Sequence, residues 1–281
     1  MSSRFFRPVL PALVAAMVFG SAPVLGQWLK YPTANVPRTK DGKVNYTAPT
    51  PRTADGHPDF SGLWFNDDHA PCAADEFLQC GIELPMSRYG FNIGGAVDGG
   101  LPYKPETQAP VRKRTADQSK DDPHARCMPD TFLRNYGLPH MQKWIQVPGE
   151  LVMLNEDNAV YRQVFLDNRP LPQDPTPTWM GYSSAKWDGD TLVVTAAGFR
   201  DDTWLDMGGN FITDKARITE RITRPDWGHI LIEDTVDDPK AYTKAWTAHL
   251  KMRIVVDTEL VDEYCVENEK SFNRMHAEPQ N

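Results

Sequence analysis

Beyond Trp144 the chain is written as pairs of short apolar or alternating runs, each pair interrupted by a turn signal, and no helical segment long enough for a crossover lies among them. Residues 151–155 and 160–166 flank a polar turn, and 182–187 and 191–196 flank Asp188-Gly189-Asp190. Residues 217–224 and 229–236 flank Pro225-Asp226-Trp227-Gly228, and 246–256 precede 260–266. The period is cleanest in the last long run: Trp246, Ala248, Leu250, Met252, Ile254 and Val256 point one way, while Thr247, His249, Lys251 and Arg253 point the other. Tight turns join antiparallel strands, whereas parallel strands need long crossovers. The expected fold is therefore mainly β, an antiparallel meander closed into a barrel, with a β-sandwich as the alternative.

The start of the chain has the layout of a secretory signal. Arg4 and Arg7 precede an apolar run at 9–19, and Val24-Leu25-Gly26 offers a cleavage site before Gln27. The run is too short to span a bilayer, so residues 1–26 are expected to be removed and the mature chain to be periplasmic or extracellular. The formal charge is −8, and loss of the leader takes away two arginines and no acid. An acidic chain without a basic run argues against nucleic acid or an anionic membrane surface as partner. Four cysteines in an exported chain are expected as disulfides; of the three possible connectivities, Cys72–Cys80 with Cys127–Cys265 is preferred, and no C-x-x-C pair and no His at a ligand spacing supports zinc.

Residues 27–60 are rich in Pro, Thr and Gly and hold a near-duplicate, Pro37-Arg38-Thr39-Lys40-Asp41-Gly42 and Pro51-Arg52-Thr53-Ala54-Asp55-Gly56. They are expected to form an extended arm around a single β domain at 61–281. Within it, 61–65 is a first strand. Residues 66–135 then form a loop-rich insertion, either a lid or a solvated segment with a short helix near 106–120.

Gly62-Leu63-Trp64, opening such a series of strands, resembles the Gly-x-Trp signature of the lipocalin and calycin barrels. That resemblance implies a first-strand Trp closing one barrel end beneath a basic residue from a late strand, with Arg253 and Lys251 as candidates. A second resemblance covers nearly the whole mature chain. It runs through Pro51 to Gly56, Pro58-Asp59, Ser61-Gly62 and Trp64, then Gly189-Asp190-Thr191-Leu192-Val193-Val194, Asp238-Pro239 and Tyr242-Thr243 before Trp246. In these residues the chain is similar to a large, uncharacterised family of exported bacterial proteins, which implies export and brings no activity with it.

Alternation places Glu220 with Ile218 and Ile222, and Asp234 with Ile230, Ile232 and Val236. In a regular hairpin the two carboxylates share an apolar interior, where desolvation and mutual repulsion raise at least one pKa and create a candidate acid–base pair. Arg162 falls with Val160, Val164 and Leu166; Glu156, continuing the face of Val152 and Leu154, is its nearest partner in sequence. His140 is a candidate general base at the barrel mouth. Trp179, Tyr182, Trp187, Phe199 and Trp204 could line an apolar pocket with Asp206 at its rim. Asp67-Asp68-His69 reads as an exposed turn. No G-x-S-x-G, H-E-x-x-H, Walker or dinucleotide pattern is present, so neither a cofactor nor a metal is expected.

Three functions compete. The first is a lipocalin-like barrel enclosing a small, largely apolar or aromatic molecule, with Arg162 and Glu156 as polar anchors. The second is a cofactor-free hydratase, isomerase or cyclase using Glu220, Asp234, Glu156 or His140. The third is a structural envelope protein.

Overall fold

A computed structural model describes residues 31–67, 86–87, 90–91, 93–97, 100–117 and 119–267. The leader, the expected Cys72–Cys80 bridge, Asp68 and His69 lie outside them.

Nine strands close into a barrel: β1 (Gly62–Asn66), β2 (Gln142–Val147), β3 (Glu150–Asn155), β4 (Tyr161–Phe165), β5 (Tyr182–Asp188), β6 (Thr191–Ala197), β7 (Arg217–Thr223), β8 (His229–Asp237) and β9 (Trp246–Ile254). The seam is made by β1, where Trp64 lies opposite both Ile254 of β9 and Gln142 of β2. Closure leaves no unpaired backbone edge in the sheet, and the sandwich alternative is excluded.

One pair departs from the expected meander. β4 and β5 run parallel, with Val164 opposite Ser183 and Phe165 opposite Ser184. The connecting segment 166–181, with Pro170, Pro172, Pro175 and Pro177, cannot donate a regular ladder of N–H groups. It crosses back along the barrel as an extended strap, so β5 starts at the same end as β4.

The strands alternate as expected in β7, β8 and β9, where Ile218, Glu220, Ile222, Ile230, Ile232, Asp234, Val236, Ala248, Leu250 and Met252 are buried. In β3 the expected face is inverted: Leu151, Met153 and Asn155 are buried, and Val152 and Leu154 are only half-buried. Every residue of 151–154 is apolar, so alternation there carried no information about the inner side.

The hairpin turns after β2, β5 and β7 lie at one end of the barrel, and the arm packs against that end, where Trp227 and Gly228 donate their N–H groups to Ala48 O and Tyr46 O at 2.8 and 2.7 Å. Both copies of the repeated motif fold into the same turn. Thr39 N–H donates to Lys43 O at 2.8 Å and Thr53 N–H to His57 O at 2.9 Å; Arg38 and Arg52 each donate to the carbonyl of Gly42 or Gly56 at 2.9 Å. The glycines have φ of 83° and 88°, which a side chain would resist. The second copy docks, because Arg52 pairs with both oxygens of Asp190 at 2.7 and 2.6 Å, and His57 stacks on Trp187 at 4.2 Å.

Beneath the arm, fully buried Trp64 donates its Nε1–H to Phe60 O at 2.9 Å. A Cβ on Gly62 would come within 3.2 Å of that ring, which accounts for the Gly in Gly62-x-Trp64. A cation does lie over the indole, but it is Arg224, 4.8 Å from the ring centroid, which also donates to the carbonyls of Asp59, Ser61, Asp226 and Trp227. Burial lowers its pKa to about 10, which leaves it charged at neutral pH. Arg253 and Lys251 point outward, as their alternation requires, and pair with Asp67 at 2.9 and 3.3 Å.

The opposite end is filled from the insertion. Helix α1 (Pro105–Ala116) begins with Pro at its first turn and lies on the surface, with Arg114 over the rings of Trp204 and Phe211. Helix α2 (Phe132–Gly137) enters the barrel, and all its residues are buried. It stops at Leu138, which is extended as the residue before Pro139 must be. The insertion thus contributes both a surface helix and an internal plug.

Candidate functional site

The barrel interior holds a charged cluster assembled by strand register. Glu220 of β7 lies directly opposite Asp234 of β8, and both side chains are fully buried. From the far wall, Arg162 of β4 donates through Nη1 to Glu220 Oε1 at 3.1 Å and through Nη2 to Glu220 Oε2. Tyr136 of α2 donates its hydroxyl to Glu220 Oε1 at 3.0 Å and accepts from Arg162 Nη1 at 3.1 Å. Arg162 also donates to Ser183 Oγ at 3.1 and 3.0 Å and lies 3.5 Å above the centroid of Phe132. Its partner is therefore Glu220 across the barrel, rather than Glu156.

Asp234 is the odd member. Neither of its oxygens has a hydrogen-bond partner among the described residues. Burial first, and then the charge of Glu220, push its carboxyl well above the usual carboxylate range. Burial also raises Tyr136, with Glu220 adding to it. The interior thus contains one ion pair and one carboxyl whose pKa is raised by burial and by its charged neighbour.

A half-open cleft of about 480 Å³ lies at the parallel seam. Tyr161, Phe165, Trp179 and Tyr182 are among its walls, and Arg162 and Ser183 contribute to its floor. It exists because the strap 166–181 leaves β4 and rejoins beside it, so the two strands share only a short ladder. Arg200 lies 4.8 Å over Trp179 and Arg169 lies 4.0 Å over Phe165. Aromatic walls, cationic rims and a neutralised floor suit a ring-bearing, largely apolar molecule.

The other expected site residues lie elsewhere. His140 has Nδ1 3.2 Å from Glu263 and 4.0 Å from Glu156, outside the interior cluster. Glu156 accepts the Met141 N–H at 2.8 Å and caps the start of β2 rather than anchoring a ligand. Trp187 packs under the arm between His57 and Phe60. Trp204 sits beneath Arg114. Asp206 is fully buried and accepts from the N–H groups of Ile93, Gly208 and Asn210 and from Asn210 Nδ2; it organises a loop and does not reach a rim. Burial raises its pKa, against those hydrogen bonds.

Cys127 and Cys265 are bonded, with Cα atoms 5.2 Å apart. Because Cys265 follows the end of β9, the bridge fastens the C-terminal segment to the loop before α2. Beside it is a second charged cluster that local pattern did not disclose. Arg134 of α2 is fully buried, donates to both oxygens of Asp122 at 2.9 and 2.8 Å, and lies 3.3 Å from Asp130. Asp130 in turn bonds His124 Nδ1 at 2.7 Å, which raises the His124 pKa despite partial burial. Asp157, in the turn between β3 and β4, is held high by burial and then by Asp130. The signal available in the sequence was a dense sprinkling of Asp, His and Arg at 121–134, with no spacing to say which would meet.

Compared with family models, curated proteins and solved structures, the chain shows no significant match to any of them.

Proposed function

We propose that this protein is exported, a member of the exported bacterial family it resembles, and binds a small, ring-bearing, largely apolar molecule in the cleft between β4 and β5. One observation carries this reading: the cleft of about 480 Å³ is walled by Tyr161, Phe165, Trp179 and Tyr182. The ligand is placed there rather than in the lumen, because α2 and its aromatic side chains occupy the barrel interior. Arg162 supports the floor and is already neutralised by Glu220, so an uncharged ring face fits better than a buried anion. Export is supported by the Cys127–Cys265 bridge; no helix among the described residues is long and apolar enough to cross a membrane.

The test is titration of the mature protein with Nile red, a neutral ring-bearing dye. Trp179→Ala is expected to weaken binding about tenfold, in line with the roughly 1 kcal/mol or more lost with one aromatic contact, while the thermal melt stays in place. Absence of dye binding, or an unchanged affinity in Trp179→Ala, removes the cleft as a site.

A second reading, acid–base catalysis, is favoured by one feature: opposite Glu220, Asp234 is a buried carboxyl with a raised pKa and no hydrogen-bond partner among the described residues. Under it, a molecule bound by the wild type would be recovered hydrated, isomerised or cyclised, and Asp234→Asn would return it unchanged. Recovery of unchanged ligand from the wild type leaves the protein a binder.

A further inference from the structure

Neither the cleft nor the barrel interior uses the group formed by His124, Asp130 and Asp157. These residues come from three separate places: the turn His124–Arg126, the approach to α2, and the turn between β3 and β4. One potential ligand atom from each lies within 4.8 Å of the others. We propose that His124, Asp130 and Asp157 form a binding site for a divalent transition-metal cation of the Zn²⁺ type, which joins the loop before α2 to the β3–β4 turn.

The strongest pointer is Asp157. It is 3% exposed; its Oδ1 accepts from Asn158 Nδ2 at 3.3 Å, while its Oδ2 is buried with no hydrogen-bond partner among the described residues. A buried carboxylate oxygen left bare beside a second carboxylate is unfavourable unless something positive comes between them. Asp130, also 3% exposed, is aimed by its neighbours: Arg134 holds one oxygen at 3.3 Å, and Asp122 holds Arg134 in a two-bonded clasp. Such outer groups orient a ligand carboxylate. The His124 ring remains a quarter exposed and supplies the entry from solvent.

The donor set narrows the occupant. One imidazole with two carboxylates suits a borderline cation such as Zn²⁺, which takes N and O ligands at about 2.0–2.2 Å; Ca²⁺ takes oxygen alone and needs more of it. Tetrahedral ligands at that bond length stand roughly 3.3 Å apart, so no pair need close by more than about 1.5 Å. His124 Nδ1 now shares a proton with Asp130. Loading a cation would replace that hydrogen bond with a bond from an imidazole nitrogen to the ion.

The disulfide brings the two ligand-bearing turns together. Cys127 closes the His124–Arg126 turn, while Cys265 N–H donates to Asn158 Oδ1 at 3.3 Å and Glu263 pairs with Asp157 in a short parallel bridge. The ligands are therefore held near one another before any ion arrives.

The experiment is calorimetric titration of the full mature chain with Zn²⁺ after chelator treatment, repeated for Asp157→Asn, His124→Gln and His140→Gln. Expected is uptake of a single ion by the wild type, a loss of affinity of about tenfold or more in Asp157→Asn and in His124→Gln, and little change in His140→Gln. No Zn²⁺ uptake, or equal affinity in Asp157→Asn and His124→Gln, overturns the proposal. Should either variant fail to fold, the imidazole proton signals of the wild type decide it: Zn²⁺ must shift the resonance of His124, and an unmoved His124 signal overturns the site.

Discussion

Two buried arginines are each clasped by a carboxylate, yet they belong to different kinds of site. Around Arg162 the geometry comes from strands: Glu220 and Asp234 face each other by ladder register, and the remaining donors of the guanidinium go to Ser183 and Tyr136. Around Arg134 it comes from loops: Asp122, Asp130, His124 and Asp157 are drawn from turns pinned by a disulfide, and the cluster opens to water through His124. The first is closed, and burial raises the pKa of its spare acid. The second is half-open, with its spare acid able to accept a cation. The same residue types thus make a structural pair when enclosed by a sheet and a receptive site when held at the sheet's end.

The largest expected effect breaks the enclosed cluster. Arg162→Met leaves Glu220 buried and unpaired beside Asp234, and should lower unfolding free energy by about 3–5 kcal/mol in urea denaturation. Arg134→Met should cost less, roughly 1–3 kcal/mol, because the turns that carry Asp122 and Asp130 can open to let water reach the freed carboxylates, whereas the sheet around Glu220 cannot. Equal losses would erase the distinction between closed and half-open. The double variant Arg162→Met, Glu220→Met should recover most of the first loss, since apolar side chains of similar volume replace the whole pair.

Removing the bridge with Cys127→Ser, Cys265→Ser tests the second cluster. The bridge spans 138 residues of sequence, and its loss is expected to cost about 2–4 kcal/mol. Hydrogen exchange should show the loosening at the loop before α2 and the β3–β4 turn, with β7 and β8 unchanged. Loosening spread evenly over the barrel would show that the two clusters are one cooperative unit.

The last test sharpens the contrast through pH. The folded protein keeps a proton on Asp234 that the unfolded chain has released above its ordinary value of 3.8. Stability must therefore fall as pH rises above that value, until the folded-state pKa is reached, by at most about 1.4 kcal/mol per pH unit for one proton. Asp234→Asn should flatten this slope when unfolding is compared at pH 4, 5.5 and 7. An unchanged slope would place the raised proton on another group.

How far the sequence could be read depended on how each part is specified. In β7, β8 and β9 polar and apolar residues alternate, so the inward turn of Glu220 and Asp234 was legible, and Trp64 was legible from Gly62-x-Trp64. In β3 the unbroken apolar run hid the inner face, and Arg162 was consequently matched with Glu156 instead of Glu220, 58 positions away. The aromatic stretch was visible as a set, but only the parallel seam separated Trp179 and Tyr182, which wall the cleft, from Trp187 and Trp204, which pack beneath the arm and α1. The His124, Asp130 and Asp157 group had no legible spacing, because turns have no period.

By itself the sequence determined a β-rich chain of consecutive hairpins and the inner faces of its late strands, since alternation and turn chemistry are local and act on neighbours along the chain. Tertiary structure alone decided that β4 and β5 run parallel, that α2 fills the barrel, and which acids each arginine meets. Those outcomes depend on contacts between residues far apart in sequence, whose free energy exists only once the sheet has closed.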